Sequence, residues 1–153
     1  LAALGPEHSA VATTYHGMAI IFTSQADYPK ALEYFEKCLE IREKKLGLDH
    51  PHVSDAYSNK AIVLTRLGDF TGAVEIYRKC IAAMHSSLGA EHPSIAVNFA
   101  HLGAALQGLG DVAAASDAYS KCLELRRSTS GEDCDTMGWV AERLAGLTRG
   151  SAV

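Results

Sequence analysis

The sequence predicts an all-α helical solenoid built from three helix pairs and a closing seventh helix. Three observations predict this fold: a sequence period of 42 residues, apolar spacings of amphipathic helices, and glycine and aspartate residues placed at helix ends. The period is clearest in the hexapeptides LGPEHS, LGLDHP and LGAEHP, which begin at Leu4, Leu46 and Leu88. Units that recur at such a period stack side by side in repeat proteins, because one unit alone cannot bury its apolar side.

The 42-residue alignment extends through each unit. Aromatic, small, acidic and cysteine positions recur in it as Tyr15, Tyr57 and Phe99; Ala19, Ala61 and Gly103; Asp27, Asp69 and Asp111; Phe35, Tyr77 and Tyr119; and Cys38, Cys80 and Cys122. We therefore expect one domain over 1–153, with repeats at about 4–45, 46–87 and 88–129 and a terminal half-repeat over 130–150. The chain opens inside the pattern and without Met, so we expect it to be a fragment of a longer protein.

Each unit is predicted to contain two helices. In the first half of the first unit, apolar residues follow the i, i+4, i+7, i+8, i+11 spacing of a helix, at Val11, Tyr15, Met18, Ala19 and Phe22. A similar stripe in the second half runs through Tyr28, Ala31, Leu32, Phe35, Cys38 and Leu39. The half-repeat at the end of the chain supplies a last helix, whose outward charged residues suit a solvated cap.

The helix ends are predicted by glycine and aspartate. Gly68 and Gly110 stand where a helix ends in the left-handed conformation, and Asp69 and Asp111 follow them as N-caps of the next helix. In the first unit Ala26 replaces the glycine, so we expect strain in that turn.

A histidine in each hexapeptide, His8, His50 and His92, raises the question of a metal site. Zinc ligands must converge within roughly 2 Å of one ion, whereas equivalent points on stacked units are separated by at least one helix spacing of ~8–10 Å. We therefore expect each histidine to cap a helix or to pack at the joint between units. No metal or cofactor is predicted.

The cysteines follow the same reasoning. Cys38, Cys80 and Cys122 share one position of the repeat, so they are too far apart for disulfides and are expected to act as small apolar fillers. Cys134 lies in the last linker, at the position of the histidine. Buried thiols outside disulfides favour a reducing compartment, so we expect a cytoplasmic protein.

Composition and motifs exclude several classes of function. The 153 residues are 48% hydrophobic and 21% charged with a net charge of −4, which gives no reason to expect nucleic acid or an anionic membrane. No stretch approaches the ~20 apolar residues of a transmembrane helix. No nucleophile elbow or phosphate-binding glycine loop is present, and acidic residues such as Glu33 and Glu40 alternate with lysines on a solvated face. We therefore expect a protein that is not an enzyme.

The repeat pattern resembles the tetratricopeptide repeat. In the third unit, the aromatic, hydrophobic-small, apolar, small, aromatic and small positions are Phe99, Leu102-Gly103, Leu106, Ala115, Tyr119 and Cys122. The 42-residue period with LGxxHP between units is similar to the kinesin light chain subtype. The resemblance implies a right-handed superhelix, a general protein-binding scaffold, whose first helices line a concave face.

The resemblance also implies which residues line the concave groove. Carried over by position, they are His16, Ile20, Thr23, Asp55, Ser58, Asn59, Ile62, Thr65, Arg66, His101, Ala104, Gln107, Trp139 and Arg143. Where that subtype commonly has a peptide-binding asparagine three residues before the small residue, this chain has His16, Ser58, Ala100 and Glu142. The resemblance thus predicts the scaffold rather than the class of cargo.

We expect the domain to hold a peptide or helix of a partner protein in this groove, and a kinesin light chain-like cargo adaptor is one form of that function. The alternative is an architectural module that self-associates through its exposed solenoid ends. The roles of two residues stay open. Lys60 is expected to have a partly buried aliphatic stem, and its second interpretation is a charge that faces the groove. Trp139 either anchors a partner or packs at the end of the solenoid.

Overall fold

The computed structural model describes residues 9–130 and 135–150, with the side chains of 130 and 135–137 left aside. These residues form seven helices and no strand: α1 (Ser9–Ser24), α2 (Tyr28–Leu46), α3 (Pro51–Leu67), α4 (Phe70–Leu88), α5 (Pro93–Leu109), α6 (Val112–Ser130) and α7 (Asp135–Gly150). The predicted all-α class is confirmed. Across the described ranges, no helix is long and apolar enough to cross a membrane.

The turns inside the helix pairs share one hydrogen-bonding pattern. After α3, the Gly68 N–H donates to the Thr65 carbonyl at 3.1 Å and the Asp69 N–H donates to the Leu64 carbonyl at 2.9 Å. The Asp69 carboxylate then accepts a hydrogen bond of 3.0 Å from the Gly72 N–H of α4. This is a Schellman ending followed at once by an N-cap, which explains why glycine and aspartate are adjacent in the sequence.

The first pair makes the same turn without glycine. Ala26 adopts a φ of 59°, whereas Gly68 and Gly110 have φ values of 84° and 83°. The Ala26 N–H still donates to Thr23 and the Asp27 N–H to Phe22, at 3.1 and 2.9 Å. The predicted strain is therefore present, because a Cβ is unfavourable at positive φ.

The histidines of the hexapeptides cap the first helices of the pairs. His50 Nδ1 accepts a hydrogen bond of 3.2 Å from the His52 N–H, and His92 Nδ1 accepts one of 3.3 Å from the Ser94 N–H. The prediction of a capping role is confirmed for these two, while His8 lies outside the described residues. Each imidazole satisfies a backbone donor that the first helical turn leaves without a partner.

The helices form a stacked array of pairs. Each helix packs against the next one in the chain, and the first helix α3 also contacts α1 and α5 directly. Inside each pair an aromatic ring of the second helix lies in the same core as a small residue of the first. These pairs are Phe35 with Ala19, Tyr77 with Ala61, and Tyr119 with Gly103. Together these packed pairs form the predicted helical repeat solenoid.

Two further expectations have a structural outcome. Cys38, Cys80 and Cys122 are buried thiols outside any disulfide, as expected of small apolar fillers, and Cys134 lies outside the described residues. The Lys60 side chain is only 20% exposed and its Nζ pairs with Glu36 Oε1 of α2 at 3.1 Å, which favours the interpretation as a partly buried stem.

The strained turn gives a testable prediction. Ala26→Gly should raise the free energy of unfolding by roughly 0.5–1 kcal/mol, because it removes a Cβ from a positive-φ position. The matched Gly68→Ala should lower it by about 1 kcal/mol, since it introduces that Cβ. Urea unfolding followed by circular dichroism measures both, and equal shifts in the same direction would disprove the assignment of strain.

Candidate functional site

The first helices enclose two adjacent cavities on one side of the array. The wider cavity, of 460 Å³, lies between α3 and α5, and the narrower, of 220 Å³, lies between α1 and α3. Asn59 and Ile62 line both cavities. The two cavities are therefore adjacent, with these two side chains as a common wall, and we call them together the groove.

The groove contains a large part of the set predicted from the sequence. The predicted residues that line one or both of the cavities are Ile20, Thr23, Asp55, Ser58, Asn59, Ile62, Arg66 and His101. The predicted residues that line neither cavity are His16, Thr65, Ala104, Gln107, Trp139 and Arg143. Of this second set, His16 lies on α1 and Thr65 on α3. The others lie on α5 and α7.

A hydrogen-bonded cluster joins α1 to α3 beneath the groove. His16 Nε2 lies 3.2 Å from Asn59 Nδ2 and 3.6 Å from Asp55 Oδ2, and the His16 ring meets Phe35 edge-on at 5.8 Å. Burial, and then the positive charge of Arg42, lower the pKa of His16, while Asp55 opposes them. His16 is therefore neutral near pH 7, with Nε2 free of a proton to accept the Asn59 hydrogen bond.

A second cluster joins α3 to α5 and contains a residue that was not predicted. The Ser58 hydroxyl lies 2.7 Å from Asn98 Oδ1 and 2.9 Å from the Ser54 carbonyl, either of which accepts its proton. The Asn98 Nδ2 donates to the Ser94 carbonyl at 3.0 Å, so this amide is held at both ends. Asn98 is only 4% exposed and occupies the position of Ala56 in the repeat. The sequence did contain a signal for Asn98, because a polar residue replaces the alanine that the preceding unit has at this position.

His101, which lines the wider cavity, packs on a buried aromatic ring of α4. The His101 ring stacks on Tyr77 with centroids 5.9 Å apart and 14° between planes. Burial lowers the pKa of His101 and raises the pKa of Tyr77. The hydroxyls of Thr23 and Thr65 donate to carbonyls of their own helices, Ala19 at 2.8 Å and Ala61 at 2.9 Å.

Gln107 of α5 and Trp139 and Arg143 of α7 take part in a separate contact at the end of the array. Gln107 Oε1 accepts hydrogen bonds from the Tyr119 hydroxyl at 3.1 Å and from Arg143 Nη1 at 3.0 Å. Trp139 meets the Tyr119 ring edge-on at 6.1 Å and packs against the core. These contacts attach α7 to the preceding pair, which favours the packing interpretation of Trp139. Ala104 is half-buried on α5.

Three residues of second helices also line the groove. Met84 and Leu88 of α4 contribute to the wider cavity, and Phe35 of α2 contributes to the narrower one. The resemblance assigned the groove to the first helices alone. Among the residues described, no group of three or more His, Cys, Asp and Glu side chains is arranged to hold a metal ion.

Comparison with known proteins identifies the repeat. Two family models described as tetratricopeptide repeat match residues 52–128 and 11–52. The chain belongs to the tetratricopeptide repeat family. A search of curated proteins gave no match.

Several solved structures show the same fold. BtubC (BKLC) from P. vanneervenii superposes with a TM-score of 0.84 at 18% identity, over 92% of this chain and 56% of that one. The chain thus spans little more than half the length of BtubC. The nearly identical repeats of a putative kinesin light chain from Podosopora anserina superpose with a TM-score of 0.77 at 22% identity, over 95% of this chain and 69% of that one. The predicted likeness to kinesin light chain repeats is confirmed at the level of the fold.

A third structure contains a ligand. The first tetratricopeptide domain of Spaghetti (RPAP3), bound to the HSP90 peptide SRMEEVD, has a TM-score of 0.70 at 18% identity, over 95% of this chain and 96% of that one.

His16 and His101 predict a pH dependence of stability. Both have folded pKa values below the ordinary 6.5, so the unfolded chain takes up their protons first as the pH falls. The free energy of unfolding should therefore decrease from about pH 7 downward. His101→Phe keeps the ring stack but removes one titration, so its decrease between about pH 7 and pH 5 should be smaller. Urea unfolding across this range measures the slope, and a slope as steep as that of the unsubstituted chain would contradict the prediction.

Proposed function

We propose that the domain is a non-catalytic scaffold that binds an extended peptide segment of a partner protein in the groove. The observation that carries the proposal is that the two cavities are adjacent and share Asn59 and Ile62. An extended chain can lie across two adjacent cavities and place side chains in both. The peptide complex of the Spaghetti domain, which has the same fold, supports the same use of this scaffold.

The groove offers both apolar contact and fixed polar groups. Ile20 is 47% exposed at the narrow cavity, a large apolar side chain open to solvent, and Ile62 lies half-buried between the two cavities. The clusters around Asn59 and Asn98 are held by hydrogen bonds that join neighbouring helices. Because these groups are already positioned, binding loses little side-chain entropy.

The charges along α3 suggest an orientation for the bound peptide. Asp55 lines the wide cavity, Arg66 lines the narrow one, and both are exposed. At a rise of 1.5 Å per residue they are about 16 Å apart, which an extended peptide covers in about five residues. We expect the ligand to carry an acidic side chain near Arg66 and a basic one near Asp55, with apolar residues between them. Such charges fix direction more than they add affinity.

The setting of this function is also part of the proposal. The fold likeness to kinesin light chain repeats supports a cargo adaptor as one form of the scaffold. The buried thiols of Cys38, Cys80 and Cys122 suit a reducing compartment such as the cytoplasm. The partner is a protein, and no part of the proposal requires a cofactor.

The test uses peptides selected against the domain itself. A displayed library of random peptides of about ten residues, a length that spans the groove, is selected on the immobilised domain. The selected peptides are then labelled, and their binding is measured by fluorescence anisotropy. Ile20→Asp should weaken their binding by at least about tenfold, because it puts a charge where apolar contact is needed. Circular dichroism should show the helices unchanged.

Ile21→Asp is the matched control for this experiment. Ile21 is the next residue on α1 and is 55% exposed, but it lines neither cavity of the groove. It should bind the selected peptides as the unsubstituted domain does. Equal binding by Ile20→Asp and Ile21→Asp, with both folded, would overturn the groove as the binding site.

A further inference from the structure

A third cavity, of 560 Å³, lies between α3, α4 and the loop that precedes α3. On α3 it is lined by Ser54 and Tyr57, whereas the groove uses Asp55, Ser58 and Asn59. With about 100° between successive helical residues, the two sets lie roughly a third of a turn apart on α3. The cavity, which we call the α4 pocket, is therefore a different surface from the groove.

The repeat explains why the α4 pocket exists. Ala83, which lines it, is aligned with Ile41 of the first unit and Leu125 of the third. Those two side chains are buried, with 8% and 7% of their surface exposed. The second unit thus lacks the branched aliphatic group that its neighbours bury at this point.

Two side chains at the rim of the α4 pocket are also shorter in the second unit than in the first. Ala82 and Ser86 stand at the positions that Glu40 and Lys44 occupy in α2, so α4 has no long side chain over the opening at these two positions. The missing aliphatic group leaves a space that is open to solvent. A group supplied from outside the chain can therefore reach it.

The walls of the pocket are fixed before any ligand arrives. The Tyr57 hydroxyl donates a hydrogen bond to Glu43, which holds the ring in place. Cys80 at the back is 2% exposed, and its Sγ lies 3.6 Å from the Ser54 carbonyl. Ile76 and Ala83 complete an apolar interior. Such a preformed apolar pocket favours a ligand group of matching shape.

We propose that the α4 pocket binds a leucine or isoleucine side chain presented by a partner protein. The aligned positions of the chain itself show which group fills this place, since isoleucine and leucine fill it in the other two units. Lys79 and Asp49 also line the pocket, where they offer a donor and an acceptor to the backbone on either side of the bound residue. Leu48 lines the opening but is 64% exposed, so it widens the apolar rim and leaves the interior unfilled.

The first experiment titrates the ¹⁵N-labelled domain with N-acetyl-leucine amide and, separately, with N-acetyl-alanine amide. Saturable shifts of the amides of Tyr57, Ile76 and Ala83 should appear with the leucine probe at a concentration at least about tenfold lower, because leucine buries about three more carbons. No saturable shift with the leucine probe, or equal shifts with both probes, would overturn the proposal.

Ala83→Leu tests the location. It restores the side chain of the third unit, so it should fill the pocket, abolish the shifts and leave the melting temperature at or above that of the unsubstituted domain. Ala113→Leu, an exposed position on α6, is the matched control and should keep the shifts. Shifts that persist in the folded Ala83→Leu domain would overturn the site.

Two further arms separate the sources of the aliphatic group. Leu48→Ala should weaken binding, because it removes part of the rim; stronger binding would mean that Leu48 competes for the pocket and would overturn the assignment to a partner. Free L-leucine should bind more weakly than the blocked probe, since its charged ends lose hydration at an apolar surface. Tighter binding of free L-leucine would assign the pocket to an amino acid instead. Ile20→Asp should change none of these results, so the groove and the α4 pocket are tested independently.

Discussion

The structure depends on the contact between a small residue of each first helix and a buried aromatic ring of the second. Phe35, Tyr77 and Tyr119 are at most 1% exposed. Phe35 and Tyr77 belong to the cores that contain their small partners, and Tyr119 lies directly against Gly103. At Gly103 the contact is so close that an added Cβ would lie 2.6 Å from Tyr119 Cε1. This close approach sets the spacing within a pair, and the 42-residue period then sets the spacing between pairs.

The groove follows from that spacing. Because the pairs stack in register, Asn59 and Ile62 of α3 come to lie between α1 and α5, where both cavities meet. Hydrogen bonds from Asn59 to His16 and from Ser58 to Asn98 then hold neighbouring first helices at fixed distances. The α4 pocket arises because the second unit lacks a side chain that the other two units bury at the same position. Repetition thus provides the scaffold and the groove, and a departure from it provides the α4 pocket.

The helices and their ends were predictable because local chemistry determines them. A Schellman turn needs a residue at positive φ, and a cap needs an acceptor side chain, so glycine, aspartate and histidine mark these points in the sequence. Asn98 and Met84 were missed for a different reason. Whether a residue on a helical stripe faces the core or a cavity depends on the angle between packed helices, which periodicity does not encode. Gln107 and Arg143 were expected in the groove but bond to each other at the end of the array.

The most direct test of the central contact is the stability of Gly103→Ala against Gly17→Ala, by urea unfolding. Both glycines lie inside first helices, but an added Cβ at Gly17 meets no atom within 4 Å. Gly103→Ala should lower the free energy of unfolding by about 1–3 kcal/mol, because the Tyr119 ring must move. Gly17→Ala should raise it by up to about 1 kcal/mol through helix propensity. A Gly103→Ala domain as stable as Gly17→Ala would contradict the dependence of the fold on this contact.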